Sequence, residues 1–421
     1  MRFSSILGFL AIAAASPVRR SGGLNANGDL VAKDVNLFDD ALLLDSAAYT
    51  TQGSSSKTSN FRVYQFVRQP DGELTNIVLE TILPELLGLV PGLEVVGDAL
   101  ATLVSRLKLF LAIPRGNREI AVHVPMCKGD EGIRSGKTAG KTGFLEANVN
   151  IGDCAFGDDN MVDGEIRALE LPVIGDGGVE DVRNTIFFSP PGGWGVISGM
   201  SISTAQDTVL GFAIAVQADN IDRVDIDDTI KNSAVNDVLQ TISKTFLEPF
   251  EVVPNMAGLF TSLKSSLSVP DAPASFLYLS SSPIQLYPHL QPFIRENFPA
   301  GPLILRNYTF TDIPTLIENI RLPTREYKLG ELRKMHSWYP NKKHVLIGDS
   351  TQEDPEAYGA AFRELGADWV GCIWIRGVEG SDNSDSRFAA AFEGVPRDRW
   401  RVFTDPVADG LADINVVGGS C

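Results

Sequence analysis

Apolar residues follow two different patterns in the first half of the chain. Between residues 75 and 113 they recur at helical spacing, as at Leu100, Leu103 and Leu107, which predicts packed helices. An alternative interpretation is an amphipathic element that inserts into a lipid surface. Residues 118–215 instead contain short apolar or alternating runs separated by glycine-rich turns, which predict a small β-sandwich.

After about residue 220, strand-like and helical patterns alternate. The strand-like runs are Ser275 to Ser280, Gly301 to Leu305, His344 to Gly348 and Trp369 to Ile375. The helical runs are Asn236 to Leu247, Met256 to Leu267, Tyr327 to Tyr339 and Pro355 to Leu365. This alternation predicts a parallel sheet with helices on both faces, and therefore an α/β fold.

The N-terminal sixty residues have the character of targeting and processing segments. Arg2 precedes an apolar run from Ile6 to Ala15 that is too short to span a bilayer and ends in small residues. Residues 1–15 are therefore interpreted as a signal peptide, with a buried N-terminal helix as the alternative. Residues 16–60 are polar and are predicted to be a flexible or pro-segment. We expect a protein that is secreted or lumenal in the secretory pathway, without a transmembrane span.

Composition and charge narrow the function classes. The 421 residues are 44% hydrophobic, which is typical of a globular protein of two or three domains. The net charge of −17 argues against nucleic-acid binding, because such proteins need a basic surface to displace phosphate counterions.

The four cysteines give no metal-binding spacing. Cys127 and Cys154 are close enough in sequence to pair within one domain. Cys372 lies in an apolar run and is predicted to be a buried thiol. The pairing of these three cysteines and Cys421 stays open at this point.

Acidic, hydroxyl and lysine side chains follow the strand-like runs of the α/β region in a distinct order. The residues are Asp225 and Asp227, then Ser280, then Lys328, and finally Asp349 with Asp354. Side chains at the carboxyl ends of parallel strands meet in one crevice. A carboxylate there can attack phosphorus, a second can protonate the leaving oxygen, and a hydroxyl and a lysine can hold the phosphate. Carboxylates that must approach a phosphate also favour a magnesium ion.

This order is typical of the haloacid dehalogenase superfamily, and several segments resemble one of its families more closely. The segments are Asp225-Ile-Asp-Asp-Thr-Ile230, Ser280-Ser-Ser-Pro283, Gly301-Pro-Leu-Ile-Leu-Arg306, Lys328-Leu-Gly330, Gly348-Asp-Ser350 and Arg397-Asp-Arg-Trp-Arg-Val402. They are similar to the actin-patch-associated phosphatidate phosphatase family over about residues 225–406. The resemblance implies a haloacid-dehalogenase-like, doubly wound parallel sheet, preceded by a β-rich, sandwich-like domain with apolar helices.

The resemblance also implies the reaction. It indicates magnesium-dependent hydrolysis of phosphatidate, or a related lipid phosphate, to diacylglycerol and phosphate through an aspartyl-phosphate intermediate. Asp225 would be the nucleophile and Asp227 the general acid and base, with Ser280 and Lys328 binding phosphate. Magnesium would be bound by Asp225, the backbone carbonyl of Asp227 and Asp349, with support from Asp354.

The segment before the acid pair departs from the family pattern. Residues 219–224 are mostly polar, whereas Trp194 to Ser198 has the apolar character expected directly before Asp225. Residues 199–224 are therefore interpreted as an insertion. It is either looped out before the catalytic strand or translated from a retained intron, since Gly199-Met200-Ser201 can be encoded by a splice-donor sequence. The expected domains are 61–198 and 225–408, followed by a tail at 409–421.

Two other functions stay open. One is a secreted phosphatase of soluble phosphomonoesters, because an acidic surface repels anionic membranes. The other is a catalytically weak or inactive surface-binding protein on the same fold. A phospholipid substrate would favour peripheral membrane contact through residues 75–113 or through the basic stretch 321–344, although a solvated helix face also explains the latter.

Overall fold

The structure is a computed structural model. It describes residues 23–24, 30–31, 39–50, 54–84, 87, 95–124, 127, 133–154, 156, 161–166, 183–199, 229–231, 243–270, 272–307 and 324–421. The predicted signal peptide lies outside the described residues, as do Asp225, Asp227 and most of the predicted insertion.

The N-terminal part contains ten strands and two α-helices among the described residues. They are β1 (Gly23–Leu24), β2 (Leu30–Val31), β3 (Asp39–Thr50), β4 (Lys57–Val67), α1 (Asp71–Ile77), α2 (Asp98–Leu107), β5 (Ile113–Pro114), β6 (Glu119–His123), β7 (Ile133–Lys137), β8 (Phe144–Gly152), β9 (Met161–Ile166) and β10 (Arg183–Phe188). A π-helical turn, Val78–Ile82, continues α1.

Eight of these strands form one mixed sheet. Its order is β5-β4-β3-β10-β9-β6-β7, and β8 pairs with β4. Leu43 on β3, Phe61 on β4 and Val122 on β6 belong to one buried cluster, although β6 lies far from β3 and β4 in the strand order. The sheet therefore curls around its own core. The β-rich character is confirmed, and the strands of this region form one continuous sheet.

The hairpin of β3 and β4 corrects the interpretation of residues 16–60 as flexible for the part that lies in these two strands, residues 39–50 and 57–60. The two strands pair antiparallel from Asp39 with Val67 to Thr50 with Lys57. Both faces of the hairpin are buried, because Leu43 packs inside the curled sheet while Leu42 packs against the C-terminal part. A strand buried on both faces loses the alternation of apolar and polar residues that would have identified it.

Asp45 on β3 anchors this hairpin to the C-terminal part. Its carboxylate accepts hydrogen bonds from Arg295 at 2.9 Å and from the Thr185 backbone N–H at 3.2 Å. Its own backbone N–H donates to the Tyr287 hydroxyl at 2.8 Å. Burial raises the pKa of the Asp45 carboxyl, and the positive charge of Arg295 opposes that shift. The two parts of the chain are therefore joined by polar contacts as well as by apolar packing.

The helices of the N-terminal part pack on a small cluster of their own. Leu74 and Val78 meet Leu103 and Leu107, and Phe246 completes the cluster. This packing favours the helical interpretation of residues 75–113 over full insertion into lipid, within the portion that is described.

No helix in the described ranges combines the length and the hydropathy needed to cross a membrane.

The C-terminal part alternates strands and helices. Its elements are β11 (Trp194–Gly199), α3 (Met256–Leu267), β12 (Ser275–Pro283), α4 (Tyr287–Asn297), β13 (Leu303–Arg306), α5 (Thr324–Trp338), β14 (Lys343–Asp349), α6 (Asp354–Leu365), β15 (Val370–Arg376), α7 (Asp385–Ala391) and β16 (Trp400–Phe403). The six strands form one parallel sheet of order β13-β12-β11-β14-β15-β16. Helices α3 and α4 pack on one face, and α5, α6 and α7 on the other. The predicted α/β architecture is confirmed.

The place of β11 changes the expected domain boundaries. Trp194–Gly199 pairs with β12 on one side and with β14 on the other, so this strand lies inside the parallel sheet. The C-terminal part therefore begins before Trp194 and not at residue 225. Residues 409–421 are also part of it, because Leu411 and Val416 are buried in its core.

Both pairs of cysteines form disulfides. Cys127 is bonded to Cys154, with their Cα atoms 4.4 Å apart, inside the curled sheet. Cys372 on β15 is bonded to Cys421 across a Cα–Cα distance of 5.6 Å. The expectation of a buried thiol at Cys372 is wrong, because the chain returns to β15 after residue 411 and brings Cys421 against it.

His344, at the start of β14, should make the protein sensitive to acid. Burial, reinforced by the nearby charge of Lys342, lowers the pKa of His344 from 6.5 to about 3. Between about pH 6.5 and pH 3, His344 is therefore protonated in the unfolded chain but neutral in the folded protein. Stability should fall by up to about 1.4 kcal/mol per pH unit as the pH drops from about 6.5 towards 3.

The change His344→Leu should flatten this part of the pH dependence of unfolding, measured by chemical denaturation between pH 4 and 7. A His344→Leu protein with the wild-type slope would show that another group causes the acid sensitivity.

Candidate active site

Four of the six predicted site residues lie within the described residues and at one edge of the parallel sheet. Ser280 lies near the carboxyl end of β12, and Asp349 is the last residue of β14. Lys328 lies on α5, and Asp354 begins α6 directly after the loop that follows β14. All four side chains are completely buried. Parallel strands present their carboxyl ends at the same edge, which explains how residues distant in sequence reach one place.

Lys328 and Asp354 form an ion pair in the interior. The Lys328 ammonium donates to Asp354 Oδ1, and neither side chain is exposed to solvent. The second oxygen of Asp354 accepts the backbone N–H of Asp349 at 3.3 Å. Buried charges are tolerated only when they are paired, so each partner fixes the position of the other. The pair thereby fixes the lysine relative to the end of β14.

Asp349 is held by hydroxyl and backbone donors. Its Oδ1 accepts the backbone N–H of Thr351 at 2.7 Å and also the Thr351 hydroxyl. Its Oδ2 accepts the hydroxyl of Thr229 at 2.5 Å. Thr229 is the fifth residue of the segment that starts at Asp225. This hydrogen bond therefore brings the end of the first acidic motif to the carboxylate of the last one.

Two glycines on neighbouring strands make room for the Asp354 carboxylate. A Cβ atom on Gly199, the last residue of β11, would lie 2.7 Å from Asp354 Oδ2. A Cβ atom on Gly348 would lie 2.6 Å from the same oxygen. Tyr358 packs here too, and burial, together with the charges of Asp354 and Asp349, raises the pKa of its hydroxyl well above the usual range. A side chain at position 199 would therefore point at the Asp354 carboxylate of the buried ion pair.

Ser280 precedes an irregularity in the sheet. The register of β12 against β13 shifts between Ser280 and Pro283, so Ser281 and Ser282 form a bulge. The Ser280 hydroxyl accepts the backbone N–H of Ser282 at 3.0 Å. Ser281 donates to the Gln352 side chain at 3.4 Å, which links this bulge to the loop after β14. Bulges of this kind redirect side chains at functional sites.

Arg387 on α7 braces the loop between Asp349 and Asp354. Its guanidinium donates to the backbone carbonyl of Ser350 at 2.5 Å and to that of Gln352. It also donates to Glu356 at 2.9 Å. Sequence reasoning missed Arg387 and the contact of Thr229 with Asp349, and no sequence pattern identified the bracing role of Arg387.

Among the described residues, no three His, Cys, Asp or Glu side chains lie close enough together to hold a metal ion. Asp225 and Asp227, the other predicted ligands, lie outside those residues. The carboxylates at this edge, Asp349 and Asp354, offer oxygen atoms, which are the donors that Mg²⁺ prefers. The chemistry of these two carboxylates therefore fits Mg²⁺.

A parallel sheet with acidic, hydroxyl and lysine residues at its carboxyl edge is an arrangement that suits phosphoryl-transfer chemistry. Residues 224–377 match the family model described as "Phosphatidate phosphatase APP1, catalytic domain", which confirms the family resemblance for this segment. The chain is also 31% identical over 137 residues to phosphatidate phosphatase APP1 of Saccharomyces cerevisiae. That match covers 32% of this chain and 22% of the yeast protein, so the similarity spans about a fifth of the length of this relative.

Proposed function

We propose that this protein is a magnesium-dependent phosphatase that hydrolyses phosphatidate, or a related lipid phosphate, to diacylglycerol and phosphate. The observation that carries the proposal is the hydrogen bond from Thr229 to Asp349 inside the segment that resembles the APP1 catalytic domain. It links the first and last acidic motifs at the edge where the Lys328–Asp354 pair is buried. The finer assignment to a haloacid-dehalogenase-like fold is part of the same proposal.

The proposed reaction has two steps. The Asp225 carboxylate attacks phosphorus, the ester P–O bond breaks, and Asp227 gives its proton to the leaving diacylglycerol oxygen. A water molecule then gives its proton to Asp227 and attacks the aspartyl-phosphate. The second step releases inorganic phosphate and restores the Asp225 carboxylate, so the enzyme returns to its starting state.

Ser280 and Lys328 would orient the phosphoryl group during both steps. A hydroxyl and an ammonium group stabilise the oxygens of a transferring phosphoryl group, and phosphoryl transfer depends mainly on such positioning. Asp354 forms an ion pair with Lys328, so the main contribution of Asp354 would be to hold Lys328 in position. Asp225, the carbonyl of Asp227 and Asp349 would bind Mg²⁺, which supplies positive charge beside the phosphate, and Asp354 would support that shell.

The basic stretch 321–344 gives little support to membrane contact. Lys334 is paired with Glu146 and Glu331, at 2.9 Å and 2.8 Å. Arg333 is paired with Glu364 at 2.6 Å. Lys328 and Lys342 are buried. These four side chains are ion-paired or buried, which favours the interpretation of the stretch 321–344 as a helix face.

Residues 75–113 are the better candidate for contact with a phospholipid surface. Three large apolar side chains remain exposed there, on Leu79, Leu87 and Val96. Burying apolar side chains in the bilayer interface stabilises peripheral binding without requiring a basic surface. We propose that these residues bring the acidic protein to its lipid substrate.

The proposed location is the secretory pathway or the outside of the cell. The disulfides Cys127–Cys154 and Cys372–Cys421 support it, because disulfides persist mainly in oxidising compartments. Expression with residues 1–15 intact tests the proposal. Mature protein in the medium or the secretory lumen that lacks the leader would support it, and unprocessed protein in the cytosol would contradict it.

Phosphate release from two substrates tests the function. We expect magnesium-dependent release from phosphatidate in mixed vesicles to exceed release from p-nitrophenyl phosphate, with EDTA abolishing both. A marked preference for the soluble monoester would favour the alternative function, which the net charge of −17 supports. Absence of release from either substrate would indicate a surface-binding protein.

Deleting residues 199–224 should preserve or improve folding and activity. In that variant Asp225 takes the place of Gly199 at the end of β11, and the side chains of Asp354 and Tyr358 must shift to admit its Cβ atom. The nucleophile would then follow a buried apolar strand and lie beside Lys328. Thermal unfolding and magnesium-dependent phosphate release measure the result.

The matched control for this deletion replaces residues 199–224 with a Gly/Ser linker of the same length. The linker variant should show no gain, because it does not join Asp225 to β11. If the deletion misfolds or loses activity while the full chain is active, the segment is an integral part of the enzyme.

A further inference from the structure

Arg306 is a second cation at the same edge of the parallel sheet. It is the last residue of β13, the strand next to β12, so it lies at the carboxyl edge with Ser280. Leu305 pairs with Ser280 and Arg306 with Pro283, which places Arg306 beside the bulge of Ser281 and Ser282. The strand register thus brings this arginine to the phosphate-binding side of the site.

The guanidinium of Arg306 is both buried and oriented. Only 7% of the residue is exposed. Its guanidinium carbon lies 5.1 Å from the centre of the Tyr327 ring, and Tyr327 directly precedes Lys328 on α5. A cation stacked on an aromatic ring is held in a narrow range of orientations. Arg306 and Lys328 are therefore positioned by the same turn of α5.

A second side-chain cation would help to balance the charge of a bound phosphate. The ammonium of Lys328 is already paired with the carboxylate of Asp354. A phosphate monoester adds nearly two more negative charges in a buried setting, where repulsion is poorly screened. A guanidinium offers two parallel N–H donors that match two phosphate oxygens.

We propose that Arg306 is a phosphate-binding residue that grips the non-bridging oxygens of the substrate's terminal phosphate. This inference rests on the proposed phosphatase function. A monoester has three non-bridging oxygens, so two of them are available for a forked contact while the nucleophile attacks phosphorus opposite the ester oxygen. Arg306 therefore selects phosphomonoesters, because a diester replaces one of these oxygens with an ester link.

The experiment uses the full chain and three variants, Arg306→Gln, Arg306→Lys and Arg397→Gln. Arg397 also stacks on an aromatic ring, 4.2 Å from the centre of Trp400, but Trp400 begins β16 at the opposite edge of the sheet. It is therefore a matched control for losing an arginine–aromatic contact. KM and kcat for phosphatidate, the dissociation constant of inorganic phosphate by calorimetry, and the melting temperature are measured for each protein.

Arg306→Gln should raise KM and the phosphate dissociation constant together by about 10- to 100-fold, the loss expected for hydrogen bonds to a charged group. Arg306→Lys should recover part of the affinity, and Arg397→Gln should leave both constants unchanged. Unchanged phosphate affinity in Arg306→Gln, or in Arg306→Lys if the first variant unfolds, would overturn the proposal.

If the wild-type chain binds phosphate but hydrolyses nothing, the phosphatase function fails while calorimetry still decides the role of Arg306. A wild-type chain that binds no phosphate would overturn the proposal for Arg306.

Discussion

Asp225→Asn is expected to lower magnesium-dependent phosphate release by at least about 1,000-fold, the scale on which removal of an enzymic nucleophile acts. An amide of the same size cannot attack phosphorus, so the aspartyl-phosphate cannot form. The same change removes one negative charge from an acidic cluster, so the melting temperature should stay the same or rise slightly.

Asp222→Asn makes the same chemical change three residues earlier and is the matched control for Asp225→Asn. It should retain activity, because Asp222 lies in the predicted insertion and outside the acidic motif. Rapid-quench trapping of phosphorylated protein would show the intermediate in the wild type and in the control. Full activity in Asp225→Asn would exclude the covalent mechanism.

Lys328→Met is expected to lower the free energy of unfolding by about 3–5 kcal/mol, since it leaves the Asp354 carboxylate buried without its partner. It should also abolish activity, because no ammonium group remains to hold the phosphate. Chemical denaturation measures the first effect and phosphate release the second. The exposed pair of Arg333 and Glu364 supplies the control, and Arg333→Met should leave the stability nearly unchanged, because surface ion pairs contribute little.

The double variant Lys328→Met, Asp354→Leu separates stability from chemistry. Replacing both charges by apolar groups removes the unpaired carboxylate, so much of the lost stability should return. Activity should not return. A double variant as unstable as Lys328→Met alone would show that the two side chains do not depend on each other, contrary to the buried pair that the structure describes.

The α/β half of the fold could be predicted from sequence because its elements are long and locally encoded. Helix α3 was predicted from Met256 to Leu267 and has those bounds. The four predicted strands beyond residue 270 all appear, with ends shifted by a few residues. The hairpin of β3 and β4 was missed, since its polar flanks suggested a mobile segment and burial on both faces removed the alternating pattern.

The residues of the candidate site also fall into those that local sequence patterns identify and those that they do not. Motif order identified Ser280, Lys328, Asp349 and Asp354, because each stands at the end of a recognisable strand or in a helix. The roles of Arg306 and Arg387 depend on which strand lies beside which, and on contacts between residues far apart in the chain. Local patterns carry no information about such pairing. The apolar character of Trp194 to Ser198, by contrast, is a local pattern, and the structure places this segment in the sheet as β11.

The location of β11 also separates the segment that matches the family model from the unit that folds. Residues 224–377 include β12 to β15 but not β11, which lies between β12 and β14, nor β16 at the sheet's edge. A protein fragment cut at those bounds would leave unpaired strand edges in the middle of the sheet, and such edges promote aggregation. It would also lack Leu42 and Tyr64 of the hairpin, which belong to the same buried cluster as residues of α3 and α4. Autonomous, cooperative folding therefore requires the N-terminal half. A protein fragment intended for soluble expression should begin no later than β3.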